Sequence, residues 1–223
     1  MERRQDKWCT FEDSEALITK AVTSSDDILD KRKAVIKALS EIEISPDDYE
    51  KFTYADPNKR YTRNQIMENE HFTLICLVWN AGKESPIHDH PCDGCWVRVL
   101  EGHVRETLYE QDADGQLSVT DDGFYSVGDV TWMHDIKGYH KIGNPTSERA
   151  VTLHVYAPPY SVGTMVSLTG EKTSCTVVYD TIGGVKPHLP RKCSDTTCTT
   201  VQVPKVVECP PILSETAPPS HNV

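Results

Sequence analysis

Between Phe72 and Tyr179 the chain is a succession of short runs rich in Val, Ile, Thr, Tyr, Phe and Trp: Phe72–Trp79, Trp96–Leu100, Val104–Tyr109, Leu117–Thr120, Gly123–Val127, Val130–Met133, Tyr139–Ile142, Ala150–Tyr156 and Thr176–Tyr179. Each has the length and residue types of a β-strand, and turn formers such as Asp112-Ala113-Asp114-Gly115 and Asp121-Asp122-Gly123 separate them. Many short strands with no helix between them bury their apolar faces by closing on themselves or by stacking as two sheets. A barrel or sandwich is the expected architecture, with Cys76 a small buried hydrophobe in its wall.

Upstream the period changes. From Thr10 to about Ile44, Leu17, Ile18, Ala21 and Val22, then Ile28, Leu29, Val35, Ile36 and Leu39, recur at three-and-four spacing, which predicts two amphipathic helices. Asp26-Asp27 supplies a cap and a negative first turn for the second. Ser45 as N-cap and Pro46 at the first helical position open a third, short helix. Downstream, from Lys186 to Val223, composition turns to Pro, Thr, Ser and Val without alternation, as expected of an extension that is flexible or lies along the barrel. The organisation predicted is a helical segment over 1–60, a barrel over 61–185 and an extension over 186–223.

With 34 acidic and 23 basic side chains the net charge is −11, which repels phosphate and argues against nucleic-acid and anionic-membrane partners. There is no apolar run of spanning length, and Met1-Glu2-Arg3-Arg4-Gln5-Asp6 leads into no signal-peptide core, so a cytoplasmic monomer is expected. The 8 cysteines are scattered, and reduced thiols are their expected state. Cys92-x-x-Cys95 has the spacing of a redox or zinc pair, but Cys193 and Cys198 do not supply a matched second pair.

The chemistry concentrates in Pro86-Ile87-His88-Asp89-His90-Pro91-Cys92-Asp93-Gly94-Cys95. In a strand-like run His88 and His90 share a face, and two neutral imidazoles can grip one transition-metal ion. The block from Gly128 to Asn144 offers His140 as a third donor; His134, six residues earlier and beyond the Gly138 turn, is left out. His71, His103, His188 and His221 have no paired spacing and read as solvated or core-satisfied rings. Alternation over Ala150–Tyr156 puts Thr152, His154 and Tyr156 on one face, a relay in which His154 could orient Tyr156; by itself it reads as a hydrogen-bonded barrel face. Tyr61-Thr62-Arg63-Asn64, alone, reads as a surface tetrapeptide before the first strand.

The two glycine-punctuated blocks resemble the paired motifs of the cupin superfamily, and Cys95 stands where most cupins carry a glutamate ligand. With Tyr61-Thr62-Arg63-Asn64 and Leu153-His154-Val155-Tyr156-Ala157-Pro158-Pro159 in order and at similar spacing, the stretch from about Tyr61 to Asp180 resembles the cysteine dioxygenases, thiol dioxygenases with three histidine ligands and no carboxylate. The resemblance implies a mainly β fold, a cupin-type jelly-roll β-barrel with an N-terminal helical layer. It implies Fe(2+) held by His88, His90 and His140, with L-cysteine bound through sulfur and amine. Arg63 would hold the substrate carboxylate, for which its planar fork is suited, and Tyr61 and Tyr156 would line the same pocket. Tyr156, Cys95 and His154 would be the catalytic side chains, with a thioether cross-link between Cys95 and Tyr156. Thr152 replaces the family's serine while keeping the hydroxyl, and a cis bond is expected at Ala157-Pro158. Both atoms of O2 would go to sulfur, giving cysteine sulfinate in cysteine catabolism and taurine synthesis, with no nicotinamide, flavin or oxoacid needed. Two alternatives stand beside this reading: a dioxygenase of another small thiol such as 3-mercaptopropionate or cysteamine, and a non-catalytic metal-binding cupin.

Overall fold

The computed structural model describes residues 11–187; Cys9, His188, Cys193, Cys198, Cys209, His221 and nearly all of the expected C-terminal extension lie outside the described residues. A single 3-10 turn leads into α1 (Ser14–Val22), followed by α2 (Ile28–Glu41) and α3 (Pro46–Tyr49). Asp27 caps α2 by accepting the amides of Leu29 and Asp30, so the aspartate pair does what its position predicts. At α3, the Asp48 carboxylate accepts the Ser45 amide at 2.7 Å.

Among the described residues eleven strands follow: β1 (Tyr61–Glu68), β2 (Thr73–Trp79), β3 (Gly94–Glu101), β4 (His103–Gln111), β5 (Leu117–Ser126), β6 (Val130–Met133), β7 (Tyr139–Gly143), β8 (Ala150–Ala157), β9 (Val162–Val166), β10 (Lys172–Thr176) and β11 (Thr181–Ile182). They form a six-stranded sheet in the order β11-β1-β2-β8-β3-β6, a three-stranded sheet β5-β4-β7 and a hairpin β9-β10. This is the double-sheet cupin architecture, mainly β as expected, with the walls made of separate sheets and no continuous closed ladder.

Strand alternation divides the core in two. One face of the large sheet sends Leu74, Cys76, Val78, Trp96, Leu100, Val151, Leu153 and Val155 against Ile18, Val35, Leu39 and Ile42 of the helical layer. Arg98, on that face, donates to the carbonyls of Leu39 and Ile42, tying the end of α2 to the sheet. The other face sends Ile75, Leu77, Cys95, Val97 and Val99 against Val104, Leu108 and Ile142 of the small sheet. The functional side chains belong to this inner layer.

Several local expectations are corrected. Tyr61-Thr62-Arg63-Asn64 does not precede the sheet but opens β1, because antiparallel pairing with β2 (Tyr61↔Trp79 to Asn64↔Cys76) satisfies its backbone. Asp121-Asp122-Gly123 is not a turn: β5 runs through it, opposite Leu108, Thr107 and Glu106, with a register shift at Leu108/Tyr109 and the Arg105–Asp122 ion pair across the strands. The strand expected at Thr176–Tyr179 is displaced to β10, which pairs with β9, a short, partly exposed Val-Gly-Thr-Met-Val run that carries no alternation of apolar and polar residues. The Ala157-Pro158 bond is cis. Among the described residues no helix is long and apolar enough to cross a membrane.

Candidate metal and substrate site

His88 and His90 sit in the connection between β2 and β3, outside any named strand, which corrects the strand-like reading of that segment. The connection is laced between two strands instead. His88 and His140 exchange backbone hydrogen bonds at 2.9 and 3.0 Å, Ser85 donates to the Ile142 carbonyl at 2.8 Å, and on the other side Val166 donates to the Ile87 carbonyl at 2.9 Å. Gly143 makes this approach possible: a Cβ there would lie 2.4 Å from Glu84 Cα and 2.5 Å from the Lys83 carbonyl oxygen. The segment is thus held as firmly as a strand while its side chains turn inward together.

His88, His90 and His140 converge so that one nitrogen of each lies within 4.8 Å of the others. Each ring is anchored from behind through Nδ1. His88 bonds the Pro86 carbonyl at 2.9 Å, His90 the Tyr160 hydroxyl at 2.9 Å, and His140 the Glu106 carboxylate at 2.6 Å. A carbonyl and a carboxylate accept only, so His88 and His140 must carry their protons on Nδ1 and turn the Nε2 lone pairs toward the shared space. Burial, reinforced by the neighbouring imidazoles, holds His88 and His90 well below the usual histidine range, so both rings are neutral donors at physiological pH. Three imidazole nitrogens with outer partners already engaged suit a divalent transition metal.

The opposite wall comes from the large sheet. Thr152, His154 and Tyr156 share the inner face of β8, as alternation predicts, but they are connected in a different order from that expected. The Trp79 indole donates to Thr152 Oγ1 at 2.8 Å, and Thr152 bonds His154 Nε2 at 2.8 Å. Trp79 can only donate, so the remaining hydroxyl proton belongs to His154, whose own proton then sits on Nδ1. That nitrogen faces Cys95 Sγ at 3.7 Å and not the Tyr156 phenol. Cys95 and Tyr156 are directly paired across β3 and β8. Burial pushes the Cys95 thiol and the Tyr156 phenol well above their ordinary values, and drives His154 down to about 3, so all three are uncharged.

Arg63 completes the cavity. Its guanidinium donates to Tyr61 Oη at 2.8 Å and lies over that ring, 4.8 Å from its centre, with the ring tilted 4.6 Å from Trp79. One cavity is lined by Arg63, Tyr61, Cys95, His154 and Tyr156 together with all three histidines. His134 is elsewhere: it accepts the Ile136 amide and stacks on Trp132. Cys92 donates to the Gly94 carbonyl at 3.3 Å, and burial raises its thiol to about 12, which fits a quiet packing thiol better than a redox or zinc ligand.

Two contributors escaped the sequence reading. Tyr160 backs His90 and packs edge-on against Tyr156 at 5.1 Å, but a tyrosine after a proline pair carries no signal of its own. Glu106 did leave one: Val104, Glu106 and Leu108 share a face of β4, and a carboxylate on an apolar face needs a buried partner. Burial pulls its pKa upward, but the hydrogen bonds from His140 and Thr131 outweigh that and hold it below the usual carboxylate range.

A double-sheet cupin whose inner layer gathers three back-anchored imidazoles is a candidate metal-dependent enzyme. The family model described as cysteine dioxygenase type I matches residues 10–167, and the chain belongs to that family. It is similar to cysteine dioxygenase type 1 of Danio rerio, 31% identical over 141 residues covering 60% of this chain and 70% of the relative. The same protein of Rattus norvegicus and of Homo sapiens is 30% identical over 132 residues, covering 57% of this chain and 66% of each. The matched part thus spans about two thirds of these relatives. Membership makes the chain an oxidoreductase of the thiol dioxygenase class.

Proposed function

We propose that the chain is a cysteine dioxygenase: it holds Fe(2+) through His88, His90 and His140 and converts L-cysteine and O2 to L-cysteine sulfinic acid. The observation that carries this is the shared cavity, in which a guanidinium and three converging imidazoles line one space with Cys95 and Tyr156. When bound, the ion supplies the Lewis-acid and one-electron chemistry that lets a thiol react with dioxygen. The chain's residues do the rest. Arg63 takes the substrate carboxylate in a bidentate, charge-assisted grip, oriented by Tyr61. That grip fixes the thiol's distance from the histidines and removes orientational freedom before the reaction. Tyr156, neutral at working pH, offers its phenolic proton to oxygen atoms arriving at sulfur. The sum R–SH + O2 → R–SO2H balances with the electrons drawn from sulfur, so no reducing cosubstrate enters.

The cross-strand contact of Cys95 and Tyr156 supports a thioether between Sγ and the phenol ring. Forming it removes the thiol hydrogen and one ring hydrogen, two electrons and two protons in all, taken up by dioxygen. Peptide mapping should find a species lighter by two hydrogens that joins these peptides. We further propose that the protein works as a cytoplasmic monomer, for which light scattering of the purified chain gives the mass directly.

The deciding experiment measures metal content, oxygen uptake and sulfinate on one purified sample. Iron, one sulfinate per O2 with L-cysteine, and loss of both iron and product in His140→Ala are expected. Faster uptake with 3-mercaptopropionate would reassign the substrate; uptake with no thiol would leave a metal-binding cupin without catalysis.

A further inference from the structure

We propose that Glu106 is a positioning residue of the metal site, whose carboxylate fixes the His140 ring and lends it negative charge, so that the three-histidine centre has a fourth, anionic member acting through His140. This rests on the reading that the histidines hold a metal. Glu106 is 2% exposed, and both of its oxygens are engaged: Oε1 accepts His140 Nδ1–H at 2.6 Å and Oε2 accepts the Thr131 hydroxyl at 2.5 Å. The two donors come from different sheets, β7 and β6, while Glu106 itself is on β4, so the carboxylate cannot swing without breaking a bond to one sheet or the other.

A carboxylate taken out of water needs a positive partner. Among the described residues the ion pair recorded for Glu106 is with His140 alone, and no lysine or arginine is paired with it. Lys137 adds positive charge without direct contact, but the group bonded to the carboxylate is the His140 ring, and an ion ligated at the far nitrogen of that ring would bring compensating charge to Glu106 through the imidazole. The three donors are unequal in consequence. His88 leans on a peptide carbonyl and His90 on a phenol, both uncharged, whereas His140 leans on a full negative charge. A carboxylate behind an imidazole makes it a stronger donor and fixes its orientation. It also brings the net charge of a divalent centre with three neutral ligands down by one, which favours the more oxidised ion.

The test separates charge from shape. Glu106→Gln preserves size and leaves an amide oxygen able to accept the His140 proton, while Glu106→Asp preserves the charge and shortens the reach. The full-length chain, stripped with chelator, is titrated anaerobically with Fe(II) and separately with Co(II), whose visible bands report the ligand field. Glu106→Gln should bind both ions about 10–100-fold more weakly, shift the Co(II) bands, and raise the Fe(III)/Fe(II) potential. Glu106→Asp should stay within severalfold of the unaltered chain. Equal affinity and an unchanged Co(II) spectrum in Glu106→Gln would overturn the proposal. So would a loss in folded Glu106→Asp as large as in Glu106→Gln, and if Glu106→Gln does not fold, a loss of more than about 10-fold in folded Glu106→Asp relative to the unaltered chain overturns it on its own. Failure of the unaltered chain to bind either ion would instead overturn the metal reading beneath it.

Discussion

Replacing Thr152 by valine tests whether the chain from Trp79 to Cys95 orders the inner wall. Thr152 is fully buried; its hydroxyl accepts from Trp79 Nε1 and bonds His154 Nε2, both at 2.8 Å. Valine fills the same volume, so packing is nearly conserved and the cost is the loss of two hydrogen bonds. Both abandoned groups are buried, Trp79 completely and His154 at 2% exposure. An unsatisfied buried group costs about 1–3 kcal/mol, and the gain from exchanging a hydroxyl for a methyl offsets part of it, leaving a net loss of about 2–4 kcal/mol. For a domain of this size that lowers Tm by on the order of 5–15 °C. Thr152→Ser keeps the hydroxyl and removes one methyl, for about 1 kcal/mol. Urea unfolding followed by tryptophan fluorescence, with oxygen uptake on the same samples, gives both numbers. In Thr152→Val the His154 ring also loses what fixes its tautomer, so the yield of Cys95–Tyr156 cross-link and the turnover should fall together. A valine variant within about 0.5 kcal/mol of the parent, or a serine variant as damaged as the valine, would refute the reasoning.

Arg63→Ala should raise KM for L-cysteine and for 3-mercaptopropionate by about 10–100-fold, the worth of one charge-assisted contact, while cysteamine, which has no carboxylate, should respond little; equal losses with all three would contradict the anchor role. Gly143→Ala drives a Cβ into the Glu84 and Lys83 backbone, so the segment bearing His88 and His90 must shift, and metal bound per chain, measured by atomic emission, should drop well below that of the parent. Acid should destabilise the metal-stripped chain through His154: burial sets its folded value at about 3 against 6.5 when unfolded, so below pH 6.5 the unfolded state takes up the proton first and stability declines as pH falls toward 3. Between pH 7 and pH 5 that is about 2 kcal/mol, visible in urea titrations and diminished in His154→Gln; a slope identical in that variant would contradict it.

The inner wall was the most legible part of the chain. Alternation alone set Thr152, His154 and Tyr156 on one side of β8 and Val151, Leu153 and Val155 on the other, and the division of the core follows it. The helices were legible because an apolar stripe and the Asp27 cap are local signals. What escaped depended on contacts distant in sequence. The His88-x-His90 segment looks like a strand because its spacing suits one, but its ladder is interrupted by proline on both sides, and only the partners on β7 and β9 hold it. Asp121-Asp122-Gly123 has turn chemistry, yet Arg105 across the ladder draws it into β5. Direction within the relay was also out of reach, since whether His154 serves Tyr156 or Cys95 depends on which way the ring turns between two neighbours. Tyr160 and Glu106 act on rings 70 and 34 positions away, a separation that no local pattern encodes.

The division of the fold into separate sheets gives the centre a mechanical property. The Arg63 anchor, the Cys95–Tyr156 pair and His154 belong to the large sheet, His140 and Glu106 to the small one, and the segment carrying His88 and His90 is stitched to the latter. The gap a guest must bridge is therefore a thickness, maintained by Val97, Val99, Leu77, Leu108 and Ile142 acting as spacers. Trimming or enlarging one of these aliphatic side chains, none of which does chemistry, would change how far an anchored acid reaches, and so alter which thiol length reacts fastest while every polar group stays in its place.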